Sequence, residues 1–269
     1  TGARADKLGV SGEDARNVFT VKSLEDGFAM FKFIESEKPK RAVIIGGGYV
    51  GMEMAEALRT RNLDVTILHN FDLPMSGLER GTREQVLEEL KQHKVQFFAH
   101  AITEGFIVDK EHRVTHVVTK SGTFEADMVI VAVGVLPNSE IAQKAGVRVG
   151  MSGGILTDQR QQTNLDNIYA AGDCCEVKYL VNNKSVFIPL ATIASKQGWV
   201  AGENAAGGNA KHNGAVHAIA VKVFSLEVAR IGLSIEEAQA SGFDVVSETI
   251  TAQSKVAIMP GSKNVSITT

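Results

Sequence analysis

At 269 residues, with 44% hydrophobic and 22% charged side chains, the chain has the length of about two domains and a globular composition. Its net charge of −3 leaves no electrostatic footprint for nucleic acid or an anionic membrane. No apolar run approaches the roughly 18 residues of a spanning helix, and no signal-peptide pattern opens the sequence, so no nucleic acid or membrane partner is expected.

In chain order, residues 23–34 predict a helix: Ser23 is a suitable N-cap, acids fill the first turn, and Leu24, Phe28, Phe31 and Ile34 share one face. A charged linker at 36–40 leads to an apolar strand at 42–45, glycines at 46, 48 and 51, helix-forming residues 52–61 and a second strand at 64–68. A helix at 82–93 and a buried strand at 95–98 follow. Residues 105–108 and 113–119 read as a meander with turns at 109–112 and 121–122. The continuous apolar run 126–133 suits a central parallel strand and ends in a sharp turn, 134–137. Residues 155–158 and 168–171 predict short strands, the second ending in Gly172-Asp173. Residues 189–206 predict a helix. From 214 onward the sequence is β-rich around one helix, 234–241, whose Ser234 and Glu237 form a capping box.

Residues 41–68 have the spacing of a dinucleotide-binding βαβ unit. Gly46 permits the tight turn, Gly48 lets backbone approach a diphosphate, and Gly51 lets the helix lie close to the strand. The diphosphate would rest on unpaired N–H groups at Tyr49 and Val50, at the positive end of the helix dipole. Tyr49 and Glu53 fall one helical turn apart; for Tyr49, plain surface packing is the competing reading. His69 stands where such a fold usually offers an acid to the ribose 2′-hydroxyl. Without that carboxylate, repulsion of a 2′-phosphate disappears and histidine can donate to it, which predicts relaxed or NADPH-leaning specificity. Asp173 can accept bonds from sugar-like hydroxyls or cap a helix. Pro189, Leu190 and Ala191 present a helix start, which proline alone would also explain. The adjacent Cys174 and Cys175 lack the spacing of a dithiol motif or zinc site, so they read as small buried residues in a reducing compartment. With the seven histidines scattered, no metal is expected.

With these motifs in place, the sequence resembles the pyridine nucleotide-dependent flavoprotein disulfide reductases, most of all the coenzyme A-disulfide reductase and NADH oxidase/peroxidase branch. Four markers stand in family order: Thr1-Gly2-Ala3, the Gly46–Gly51 fingerprint, the crossover 131–138 containing Val133 and Gly134, and the segment 163–173 ending in Gly172-Asp173. The run 188–198 is similar to the coenzyme A-disulfide reductases in particular. The resemblance implies an α/β fold: a Rossmann-like NAD(P)-binding domain inserted in part of an FAD-binding domain, followed by the start of an α+β dimerisation domain. It divides the chain into 1–36 (FAD-domain segment, its first part absent), 37–138 (NAD(P)-binding domain), 139–213 (FAD-domain return segment) and 214–269 (partial interface domain).

The resemblance further implies FAD and NADPH or NADH as cofactors. Asp173 would hold the ribityl chain, Pro189 to Ala191 would lie against the flavin pyrimidine ring, and Tyr49 would gate the nicotinamide pocket. Glu53 would pair with a lysine of the absent segment and so stand solvated. No catalytic residue is named within this chain, since the family's redox cysteine is expected upstream of Thr1. The implied activity passes hydride from NAD(P)H through flavin to a small-molecule disulfide, persulfide or oxygen-type acceptor, in a cytoplasmic homodimer. Two alternatives remain beside it: an incomplete NAD(P)-binding module, and a ferredoxin or rubredoxin reductase-like flavoprotein needing no cysteine. As a fragment, the chain is expected to expose apolar surface and a strand edge, and to dimerise, swap elements or need its missing half.

Overall fold

The computed structural model describes residues 2–256 and 258–269; Thr1, which opens the first family marker, lies outside them. The chain starts with β1 (Ala3–Ala5), β2 (Val18–Thr20) and α1 (Leu24–Glu37). Ser23 caps α1 by accepting from the Asp26 N–H, and the Asp26 carboxylate accepts from the Ser23 N–H in return. The apolar stripe expected to bury α1 does not do so. Leu24, Phe28 and Phe31 are 72%, 64% and 51% exposed, while Met30 is buried and Phe33 tilts against Phe19 of β2. The helix meets the sheet through Met30, Phe33 and Ile34, the last of these being the one member of the expected stripe that packs on the core, while Phe31 lies under the Arg61 guanidinium.

The next stretch carries β3 (Arg41–Ile45), α2 (Tyr49–Thr60), β4 (Asp64–Leu68), α3 (Arg80–Gln92), β5 (Gln96–Phe98), β6 (Thr103–Val108), β7 (Val114–Thr119), β8 (Gly122–Glu125), β9 (Met128–Val131) and β10 (Val135–Pro137). Five strands form a parallel sheet in the order β2-β9-β3-β4-β5. Alternation along these strands separates two cores. Ile44, Ile67, Met128 and Ile130 meet Met52, Ala55 and Leu58 of α2 and Val86 and Leu90 of α3. Val43, Ile45, Val129 and Val131 face the antiparallel β6-β7-β8 sheet through Phe106, Val114 and Val117. As expected of a central strand, β9 is buried at all four residues. The strand expected to be buried at 95–98 is instead half-exposed, because β5 is the sheet edge; Phe98 compensates by an edge contact to Phe124.

Beyond α4 (Glu140–Lys144), the strands expected at 155–158 and 168–171 do not form. Those segments make only single bridges, Ile155 to Val149 and Cys175, and Tyr169 to Gln162. No neighbouring strand extends these bridges into a ladder, so turns satisfy the backbone: Thr163 N–H donates to Ile168 O and Ala170 N–H to Gln161 O. The hairpin β11 (Val177–Lys178) and β12 (Ser185–Val186) leads to α5 (Ala191–Ala205).

The last part comprises β13 (Ala218–Val223), β14 (Leu226–Ile231), α6 (Ile235–Ala240), β15 (Thr249–Gln253) and β16 (Asn264–Thr268). The capping box at Ser234 and Glu237 is present. The β13–β14 hairpin docks on α2 and α3, burying Val223, Phe224 and Val228 in their core, with Phe224 stacked on His93. Glu56 accepts from the Phe224 N–H, and Glu89 accepts from the Ser225 N–H and hydroxyl. The β15–β16 hairpin is exposed throughout. Among the described residues no helix is long and apolar enough to cross a membrane.

Buried Asn17 ties three strands together: its amide donates to Val114 O and Asp127 O, and its oxygen accepts from the Val114 N–H. Removing it orphans an N–H and two carbonyls at once. Asn17→Ala is expected to lower stability by about 3 kcal/mol. A urea midpoint unchanged from the native chain would contradict this account.

Candidate functional site

The residues singled out from sequence fall into two groups. The first surrounds the carboxyl ends of β3, β4 and β9. Gly46 has φ +114°, and a Cβ there would overlap the Ala132 carbonyl and stand 3.3 Å from the Val133 nitrogen. A Cβ on Gly51 would overlap the Gly46 carbonyl. These two glycines therefore serve chain packing: one lets the turn cross the end of β9, the other seats α2 on the turn. Gly48 differs, with ordinary φ −85° and nothing within 4 Å of an added Cβ. It is the N-cap of α2, and no side chain caps that helix. The first-turn N–H groups thus have no side-chain cap, an arrangement suited to an anion.

Around this turn, Val50 is partly exposed at the start of α2, and Tyr49 is half-buried against the core. Burial raises the Tyr49 phenol pKa, against the opposing effect of the Arg230 guanidinium. Glu53 is exposed and makes no ion pair among the described residues. Val133 is partly exposed, and Gly134 takes φ +125°, its carbonyl accepting from the Asp6 N–H.

His69 lies at the end of β4 but turns inward. It is 8% exposed, and its Nδ1 accepts from the Gly47 N–H at 3.1 Å. Burial, then repulsion from Arg83, lowers its pKa. A neutral ring is therefore what the fold presents, rather than the cation that would best attract a 2′-phosphate. Arg83 is itself committed, donating to Asp72, Leu73 O and Pro74 O.

The second group meets at the start of α5. Gly172 has φ +87°, and its N–H donates to the buried Gln197 Oε1 at 2.9 Å. Asp173 caps no helix, since a turn follows it; Lys22 Nζ donates to its Oδ2 at 2.8 Å. Its Oδ1 has no protein partner among the described residues. Leu190 is the N-cap of α5 after Pro189, without side-chain capping; its carbonyl takes the N–H groups of Ile193 and Ala194, which leaves those of Ala191 and Thr192 open. Arg230 acts electrostatically on both Tyr49 and Tyr179 and donates to Gly77 O, Gly232 O and Glu237.

Lys22, Gln197 and Arg230 were not found from sequence. Each acts on a residue far along the chain or through a single side chain of common type, and no local pattern marks it. Cys174 and Cys175 are both buried, as expected, with sulfurs 3.7 Å apart. The Cys175 thiol, donating to Cys174, pulls the Cys174 pKa down to about 6, while Cys175 is pushed up. Cys174 also lines a cavity of about 310 Å³ with Ile155, Ile168 and Tyr169.

The family described as pyridine nucleotide-disulphide oxidoreductase matches residues 1–198. The NAD(P)H sulfur oxidoreductase (CoA-dependent) of Pyrococcus furiosus is 36% identical over 257 residues, covering 95% of this chain and 58% of that protein. The coenzyme A disulfide reductase of Staphylococcus haemolyticus is 30% identical over 266 residues, covering 98% of this chain and 58% of that protein. The solved NAD-dependent persulfide reductase from A. fulgidus superposes with a TM-score of 0.95 at 32% identity, covering 100% of this chain and 49% of that one. The chain thus spans about half to three fifths of the length of the relatives it matches.

The glycine geometry separates two substitutions. Gly46→Ala is expected to cost about 4 kcal/mol or more, whereas Gly48→Ala should change stability by less than about 0.5 kcal/mol. Denaturant melts that rank them equally would refute the assignment. For the thiol pair, iodoacetamide near neutral pH should label Cys174 before Cys175, and Cys175→Ala should slow labelling of Cys174 by removing the donor that holds its thiolate. Peptide mapping by mass spectrometry reads both rates; preferential labelling of Cys175 would reverse the order argued here.

Proposed function

Because this chain belongs to the pyridine nucleotide-disulphide oxidoreductase family, we propose that it forms the nucleotide-binding body of an FAD- and NAD(P)H-dependent oxidoreductase. In this reading, residues 37–138 bind NAD(P)H. Residues 1–36 and 139–213 contribute the FAD side, and 214–269 begin an interface domain of a cytoplasmic homodimer. The acceptor is a small disulfide, persulfide or oxygen-type oxidant, the chemistry named for the relatives.

The observation that carries this reading is the uncapped start of α2 beside Gly48, a cradle whose open space a Cβ would fill. A diphosphate fits it: the helix N–H groups supply donors, and the dipole supplies partial positive charge. Tyr49 and Val50 present the side chains nearest that start, while Gly134 and Val133 bring the end of β9 alongside. For the flavin, Asp173 offers Oδ1 to ribityl hydroxyls while Lys22 fixes Oδ2, and the start of α5 turns its N–H groups toward electron-rich ring atoms. Bound together, the two cofactors would supply hydride donation and electron relay; the protein holds, orients and electrostatically tunes them.

Calorimetric titration of the chain with NADH and NADPH tests the nucleotide half. Binding is expected with the native chain and a loss of about tenfold or more with Gly48→Ala, since the methyl occupies the diphosphate's approach. No heat with either nucleotide would remove the reading. A visible spectrum after adding FAD tests the other half, and a flavin band bleached by NADH or NADPH would mark a working relay.

A further inference from the structure

The central residue of the glycine turn is held from both sides by one connection. Gly47 donates its N–H to His69 Nδ1 at 3.1 Å and accepts at its carbonyl from the Met75 N–H at 2.7 Å. Both partners belong to the segment joining β4 to α3. A ring nitrogen that accepts carries no proton, so the imidazole must keep its hydrogen on Nε2. Nε2 is buried and meets no partner at hydrogen-bonding geometry among the described residues, although the Leu73 backbone favours a proton on the ring, which lies edge-on to Phe71 and tilted against Phe97 of β5.

A second proton would have to sit on Nδ1. There it would oppose the Gly47 N–H, donor against donor, and break the contact that holds the turn. The charged groups around the ring are Arg83 from α3, which opposes the proton, and Asp72 from the same connection, which favours it but is engaged by Arg83 and Arg80. Phe97, the residue facing it from β5, carries no charge.

We propose that His69 is a positioning residue for the dinucleotide: its neutral imidazole locks Gly47, and with it the N–H groups of the turn, so nucleotide binding is coupled to the proton of this one side chain. The inference rests on the nucleotide-binding reading above and assigns His69 a role different from contact with a 2′-phosphate. The sign follows directly. Binding is strongest where His69 is neutral and weakens as pH falls toward the protonated form.

The test titrates NADH, whose diphosphate keeps its charge, against the native chain, His69→Asn and His69→Phe from about pH 8 to about pH 5. Asn can accept from the Gly47 N–H without titrating, while Phe fills the space and accepts nothing. The native chain should bind progressively more weakly toward the acid end of the range, Asn should bind near the native level with a flat profile, and Phe should be about tenfold weaker with a flat profile. Nitrogen-15 NMR of the native imidazole should show the Nε2–H tautomer. Should Phe fail to fold, the comparison of native and Asn slopes still decides. A native slope retained in Asn, or native-strength binding by Phe, overturns the proposal. No NADH binding by the native chain at any pH removes the nucleotide-binding reading itself, and the proposal falls with it.

Discussion

The turn after β3 passes so close to the end of β9 that only a glycine leaves room for the Ala132 carbonyl, and only a second glycine lets α2 settle over the first. Two backbone segments in van der Waals contact leave no side chain to adjust, so the relative height of β3, β9 and α2 is set within a fraction of an ångström. The open N-terminus of α2, the placement of Val133 and Gly134, and the inward swing of His69 all inherit that height. Asp127 performs the matching task at the other end of the two strands, accepting from the N–H groups of Lys40 and Arg41 and from the Arg41 guanidinium.

The joints to the rest of the molecule are polar contacts laid over apolar ones. Glu56 and Glu89 on α2 and α3 receive backbone N–H groups of the β13–β14 turn, beside the buried Phe224 and Val228. Charge-assisted bonds to fixed backbone donors specify orientation better than exposed pairs such as Arg80 with Glu84, which contribute at most about 1 kcal/mol. The apolar contacts supply adhesion, and the carboxylates select one register for it. Arg230 extends the same logic by linking β14 to the connection around Gly77 and to Glu237 near the start of α6.

Local physics was readable from the sequence where a short window decides the outcome. The glycine turn, the Ser23 cap, the capping box at Ser234 and Glu237 and the buried strand β9 are such cases, because a turn, a cap and a core strand each express their constraint within a few residues. The face of α1 was not readable: Leu24, Phe28 and Phe31 have perfect helical spacing, yet only a tertiary partner can bury them, and the partner lies on the Met30 side. The segments 155–158 and 168–171 have strand composition but no adjacent strand with which to form a ladder. His69 was placed at the right point of the fold but in the wrong posture, since only three-dimensional proximity shows that a backbone N–H competes for its nitrogen. Lys22 meeting Asp173 across 151 residues leaves no trace in local pattern at all.

β9 lies between β2 and β3, yet it is the last of the five parallel strands to be synthesised. As the chain leaves the ribosome, β3, β4 and β5 can pair among themselves, but β2 has no neighbour and β3 keeps one edge of unpaired N–H and C=O groups. At translation rates of about 5–20 residues per second, that open edge persists for a few seconds before residues 128–131 arrive to fill it. The strand that closes the centre of the sheet therefore also ends the interval in which a nascent chain is most exposed to mispairing with its neighbours on the same message.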